Sequence, residues 1–169
     1  GGKIIASDLS REHLTVLLKN TPKQFLKNLY ILPGSFPHEI NFPKESLSAV
    51  LTSRMLHFLD GETIENGLEK ICNWLAPKGK LFFTSVTPYH AALRDNFLEK
   101  YQTRVLSGEK WPGVIENQWE INPAHKEYVE PYLHVFDAPQ LEELLSKYGF
   151  KIEKIKLFDY PYDVNSEGK

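Results

Sequence analysis

The residues best suited to chemistry sit at the ends of short apolar runs. Asp8 closes the run K-I-I-A-S-D; a carboxylate is an acceptor-only group matched to a vicinal diol, and its plainer role there is to cap the helix that follows. Leu9 comes next. Gly34, Ser35 and Phe36 follow a second run, L-Y-I-L-P, and Ser53, Arg54 and Met55 follow a third, L-S-A-V-L-T, with His57 just beyond. Histidine has an ordinary pKa near neutrality, which makes His57 a candidate proton acceptor; the plainer reading is a satisfied histidine at a helix start. A later stretch gathers Tyr89, His90, Arg94, Trp111, Trp119, His125, Tyr128, Tyr132 and His134. Such a set suits a lid over an apolar or planar small molecule, or a small core of its own. His90, His125 and His134 are irregularly spaced and poor in carboxylates at ligand spacing, so no metal site is expected.

These residues need elements to hold them. The first run is β-branched and apolar and reads as a buried strand, 3–8, followed by a helix that Ser10 caps and whose Leu14, Leu17 and Leu18 recur at helical spacing. Strands are expected at 29–32 and 47–52. The clearest helix carries Ile64, Leu68, Ile71 and Leu75 on one face; the turn Pro77-Lys78-Gly79 then leads into a strand over 80–86. A further helix is expected through Leu93, Phe97 and Tyr101. Asp137 caps a last helix with Leu141, Leu144, Leu145 and Tyr148 facing inward, and Gly149 suits its C′ position. The run F-K-I-E-K-I-K-L-F, 150–158, alternates imperfectly and reads as a half-exposed strand. Strands alternating with helices, the early strands apolar throughout, indicate a mostly parallel sheet covered on both faces. Ligands of such sheets bind outside the carboxyl ends of the strands, where Asp8, Ser35, Ser53 and the loop after Val86 fall. The segment of about 88–134 reads as an insertion covering that edge.

The chain has 169 residues, 41% hydrophobic and 25% charged, with a formal net charge of −2 and a pI near 6.3. That length supports one domain and a sizeable core. The charge leaves no electrostatic footprint for a phosphate backbone, so no nucleic-acid partner is expected. Cys72 is the only cysteine, which excludes an internal disulfide, a redox pair and a thiolate zinc site and agrees with a reducing, cytoplasmic location. No apolar run approaches the ~20 residues of a membrane span. Composition leaves small-molecule and protein partners, a second copy of the chain among them, both open.

In order along the chain, the segments K-I-I-A-S-D-L-S, L-P-G-S-F, F-P-K-E-S-L-S-A-V-L-T-S-R-M-L-H-F-L, L-A-P-K-G-K-L-F-F-T and L-E-E-L-L-S-K-Y-G-F-K-I-E-K-I resemble the class I S-adenosylmethionine-dependent methyltransferases. The resemblance runs over about residues 3–158. It implies a Rossmann-like, doubly wound three-layer α/β/α fold with S-adenosylmethionine as cofactor. It gives Asp8 the ribose hydroxyls and Leu9 the adenine, and places Gly34, Ser35 and Phe36 around the base. It sets Ser53, Arg54 and Met55 near the methionine end, with His57 on the substrate side as a candidate catalytic group. Tyr89, His90, Trp111, Trp119, Tyr128 and His134 would select the acceptor. Two departures stand out: Ser35 where the family has an acid for the adenine amino group, and Lys78 where it has the first glycine of its turn.

The family's Gly-rich first motif has no counterpart in this chain, nor has its last strand. In the family sheet order, 3-2-1-4-5-7-6, those two strands are interior, so the remaining strands are not expected to form one sheet. The expectation is a partial domain over 1–169, the middle of a longer protein; the alternative is completion by a second chain or a swapped partner. The implied reaction is in-line methyl transfer to a small molecule, which depends mainly on positioning and needs a base only for a nucleophile that carries its proton near neutral pH. The alternatives are a binding or regulatory protein without catalysis, and a nicotinamide oxidoreductase, which also uses a strand-terminal acid but matches the later segments poorly.

Overall fold

The computed structural model describes residues 2–158 apart from 122, 124, 125 and 128. The elements are β1 Ile4–Asp8, α1 Arg11–Asn20, α2 Lys23–Leu26, β2 Leu29–Pro33, β3 Leu47–Ser53, a 3-10 turn Leu56–Phe58, α3 Gly61–Trp74, β4 Leu75–Thr84, α4 Ala91–Leu106, β5 Val114–Ile115, β6 Leu133–His134 and α5 Ala138–Lys147. Local sequence accounts for most of these boundaries. Ser10 caps α1 by accepting from the His13 amide, Asp60 caps α3 by accepting from Thr63, and Asp137 caps α5 by accepting from Gln140, each satisfying an orphan donor of the first turn. Gly149 follows α5 with a φ of +81°, the left-handed geometry of a C′ residue.

The strands form two separate parallel pairs, β1 with β2 and β3 with β4, and one short antiparallel pair, β5 with β6. The split falls where the family order has strand one, between the pair that resembles strands two and three and the pair that resembles four and five. Helix α3 bridges it. Its Ile71 and Trp74 pack with Ile40 and Leu75 against Leu32, Leu47, Val50 and Leu81, and its Ile64 and Leu68 pack with Leu56, Phe136, Leu144 and Leu145. Burial of such a stripe is the main stabilising term for an amphipathic helix.

Residues 150–158, expected as a strand, make no strand pairing among the described residues. Phe150 and Ile152 pack against the core and Glu153 pairs with Lys80 of β4 at 2.6 Å, so the segment is held by side chains and not by a backbone ladder. Side-chain alternation alone does not make a ladder.

The segment between β4 and α5 builds its own cluster from Leu93, Phe97, Tyr101, Ile115, Leu133 and Val135. Arg104 stitches it by donating to the carbonyls of Pro112, at 3.3 Å, and Val114, at 2.6 Å.

Pro77-Lys78-Gly79 lies inside β4 as a bulge, between the pairings of Leu47 with Leu75 and Ala49 with Lys80. Lys78 has a φ of +68°, a conformation that strains any side chain with a Cβ and suits glycine. Lys78→Gly is therefore expected to stabilise the fold by about 0.5–1 kcal/mol, the relief of strain outweighing the extra chain entropy of the unfolded state. Urea unfolding midpoints check this; a lower midpoint in the variant would show that Lys78 is held by contacts worth more than its strain.

Candidate functional site

Parallel pairing in register brings the predicted residues to two neighbouring strand ends. In the first pair, Asp8 stands opposite Pro33 and its carbonyl accepts from the Gly34 amide at 3.1 Å. Asp8 Oδ1 accepts from the Ser10 amide at 2.7 Å and lies 3.5 Å from His13 Nδ1; Oδ2 has no hydrogen bond among the described residues. The side chain thus both buttresses the start of α1 and keeps an acceptor for a ligand. Leu9 beside it is 76% exposed, an apolar shelf next to a carboxylate. Ser35 is not bare: its amide donates to Glu39 Oε2 at 2.7 Å. Glu39, four residues along the same loop, brings back a carboxylate where Ser35 lacks one. Phe36 turns away and packs edge-on against Trp74, ring centroids 6.3 Å apart.

In the second pair, Ser53 stands opposite Thr84. Arg54 then has a φ of +50° and its amide donates to both the carbonyl and the hydroxyl of Thr84, at 3.0 and 3.1 Å. A non-glycine residue held in this region marks a backbone bent for a purpose. The bend leaves Ser53 and Arg54 exposed and turns Met55 onto the core.

His57 lies in the 3-10 turn, buried to 2% exposure. Burial, with the Arg54 charge adding to it, lowers its pKa to about 4, because both disfavour the imidazolium. It is therefore neutral at pH 7. Its Nδ1, with Ser85 Oγ and Thr87 Oγ1, has no hydrogen-bond partner among the described residues.

Two predicted acceptor-side residues form a wall behind this edge. His134 is buried, stacked on Phe136 at 4.3 Å and edge-on to Trp111 at 5.2 Å, with Nδ1 3.4 Å from the Leu59 carbonyl. Burial lowers its pKa to about 4 against the opposing pull of Leu59 and Asp60. The Trp111 indole lies against Gly61, where an added Cβ would come within 2.1 Å of it, so the first residue of α3 is glycine and the indole seals the helix start. Tyr132, half-buried nearby, has its hydroxyl pushed up to about 12 by burial and by Asp60 and Glu116. Trp119 donates to the Val129 carbonyl at 2.9 Å within its own loop. His90 caps α4, accepting from the Ala92 amide at 3.3 Å, and Tyr89 is exposed. Tyr128 lies outside the described residues.

A family model described as a methyltransferase domain matches residues 1–83. That match covers just under half of the chain's 169 residues. No curated protein matches the chain. Solved structures with the same fold include an S-adenosylmethionine-dependent methyltransferase from Mesorhizobium loti, with a TM-score of 0.63 and 15% identity over 91% of this chain and 66% of that one. An S-adenosylmethionine-dependent methyltransferase from Methanosarcina mazei has a TM-score of 0.63 and 17% identity over 90% and 71%. A Pyrococcus horikoshii protein has a TM-score of 0.60 and 15% identity over 94% and 70%. The chain thus spans just under two thirds of the length of the first of these structures. The α/β fold with parallel strand pairs is as expected, and the match over residues 1–83 agrees with the methyltransferase resemblance of the sequence. No helix among the described residues is long and apolar enough to cross a membrane.

Sequence reasoning did not single out Glu39, Ser85 and Thr87. Glu39 had a readable signal, a carboxylate on the loop whose acid is replaced by Ser35. Ser85 and Thr87 had only their place after β4, since burial without a partner is a tertiary property.

Proposed function

We propose that this chain is a methyltransferase domain, which binds S-adenosylmethionine across the carboxyl ends of its parallel strands and serves methyl transfer to a small-molecule acceptor. The observation that carries the reading is the register that sets Asp8, with Oδ2 still open, beside Gly34 and Ser35. Asp8 accepts the ribose hydroxyls, a charged acceptor meeting paired donors. Leu9 covers one face of the adenine. Glu39 accepts the adenine amino group, the role left open by Ser35, while Gly34 lets the backbone come close. Ser53 and Arg54 hold the polar methionine end; Phe36 and Met55 support their loops from the core side. When bound, S-adenosylmethionine supplies an electrophilic methyl group on a sulfonium centre. The chain's own contribution is positioning, which can lower such barriers by up to ~7–11 kcal/mol in well-oriented cases. His57, neutral at pH 7, orients the acceptor by hydrogen bonding and is a weak proton acceptor. Trp111 and His134 form the inner wall of the acceptor site, and Tyr89, His90, Trp119 and Tyr128 belong to its cover. A cytoplasmic location and a single domain over 1–169, with 88–134 as lid, complete the reading.

Calorimetric titration with S-adenosylmethionine and S-adenosylhomocysteine tests it. Saturable binding is expected for the wild type. Asp8→Asn keeps an acceptor for the Ser10 amide and loses the charge, so the affinity falls by about 10–100-fold, the worth of a charge-assisted hydrogen bond. Wild-type protein that binds neither compound would overturn the reading and leave the fold with another task.

A further inference from the structure

The threonine hydroxyls facing each other across β3 and β4 have partners: Thr52 donates to the Phe82 carbonyl at 3.5 Å and Thr84 accepts from the Arg54 amide. Beyond the strand ends this changes. His57 Nδ1, Ser85 Oγ and Thr87 Oγ1 are the buried side-chain polar atoms without a partner among the described residues, and all three lie on the two loops leaving β3 and β4. Those loops are adjacent, since the strands stay paired to Ser53 and Thr84 and the Arg54 amide reaches across to Thr84. A third segment closes over them. The Phe136 amide donates to the Val86 carbonyl at 3.1 Å, between Ser85 and Thr87, and His134 Nδ1 approaches the Leu59 carbonyl at 3.4 Å, two residues after His57. Folded proteins leave few buried polar atoms unsatisfied, because each keeps its full desolvation penalty. Three on adjoining loops, at the edge where open parallel sheets take their ligands, mark groups reserved for one.

We infer that Ser85, Thr87 and His57 form a polar subsite for a neutral hydroxyl group, that of an alcohol or phenol, on the acceptor molecule. This rests on the methyl-transfer reading for its role, though its binding can be tested alone. The class follows from the groups present. Two hydroxyls each donate and accept, and a neutral imidazole nitrogen does one or the other, which matches a group that also does both. An ammonium group is disfavoured because it only donates and offers the two hydroxyls nothing to donate to.

The test is nuclear magnetic resonance titration of the full chain with phenol, with ethylammonium as the opposing class and S-adenosylhomocysteine titrated separately. Wild type is compared with the double variant Ser85→Ala/Thr87→Val, and the His57 ring signals are assigned through His57→Gln. Phenol is expected to shift the His57 ring signals saturably, with affinity about tenfold weaker in the double variant, while ethylammonium leaves them in place and S-adenosylhomocysteine binding stays within about twofold. The double variant is also expected to unfold at higher urea concentration, since unpartnered hydroxyls give way to apolar atoms of similar shape. Signals unmoved by phenol, moved equally by ethylammonium, or moved equally in the variant would overturn the inference. So would a less stable variant, which would show that the hydroxyls have internal partners. Failure of S-adenosylhomocysteine to bind the wild type, with the phenol response intact, would sink the methyl-transfer reading and leave the subsite standing.

Discussion

Acidification from pH 6.5 towards 4 is expected to strip stability from this protein well before its carboxylates titrate. His57 and His134 are 2% and 1% exposed and each has its pKa lowered from 6.5 to about 4, by burial first. With folded pKa values below the unfolded ones, the unfolded chain takes up protons that the native state refuses. Their stabilising effect is therefore complete above pH 6.5, is lost as the pH falls, and levels off below about 4. Each histidine contributes on the order of 3 kcal/mol across that window, a large share of the ~5–15 kcal/mol that holds a domain folded. Asp60 and Glu65 act lower: Thr63 hydrogen bonds hold the first below its ordinary value, and Lys147 and Lys110 hold the second. Their contribution is lost only as the pH falls through those depressed values. Urea midpoints from pH 7.5 to 4 should fall in wild type and fall about half as steeply in His134→Phe, which keeps a ring against Phe136 and Trp111. Midpoints unchanged between pH 7 and 5 would show that the two imidazoles are solvated.

The second large effect is expected from a single methyl group. In Gly113→Ala the new Cβ would stand 1.9 Å from the Val135 carbonyl oxygen and 2.9 Å from its carbon, both backbone atoms with no rotamer to yield. Nor can the strands part easily. The Gly113 carbonyl accepts from the Val135 amide at 2.9 Å, Val135 is fully buried in the cluster with Phe97 and Tyr101, and Phe136 is bonded to Val86. Overpacking against a fixed backbone costs about 3 kcal/mol or more, and at this chain length each kcal/mol moves the melting temperature by roughly 2–4 °C. A drop of about 10 °C is therefore expected in thermal unfolding. The same substitution loosens the mounting of His134 and Trp111 on the start of α3, so acceptor-side binding should weaken with it. A variant melting within about 1 °C of wild type would mean that the two backbones do not approach so closely.

Much of this molecule was legible before any coordinates. The spacing of Ile64, Leu68 and Ile71 marks the buried stripe of α3, and Ser10, Asp137 and Gly149 mark helix ends, because capping is satisfied within a few residues and its signals are local. Asp8 is readable for the same reason: an apolar run ending in a carboxylate is a sequence fact. So are the departures at Ser35 and Lys78, of which the second turns out to sit at a φ of +68°.

The rest depended on partners distant in the chain. The alternation of residues 150–158 reads as a strand, yet a strand needs backbone pairing with a neighbour, and this segment meets β4 and the core through the side chains of Phe150, Ile152 and Glu153. Phe36 and Met55 carry the right position for a ligand but turn to the core. The Glu39 carboxylate folds back onto the Ser35 amide, the Trp111 indole finds Gly61, and His57, Ser85 and Thr87 become buried without partners. What local sequence fixes is β1 to β4, the helices α1, α3, α4 and α5 and the acid at the first strand end, since these follow from periodicity and local hydrogen bonding; α2 and the short β5 and β6 carry no such signal. Only the tertiary structure decided which polar groups are left over at the strand ends, because satisfaction and burial are set by residues tens of positions away.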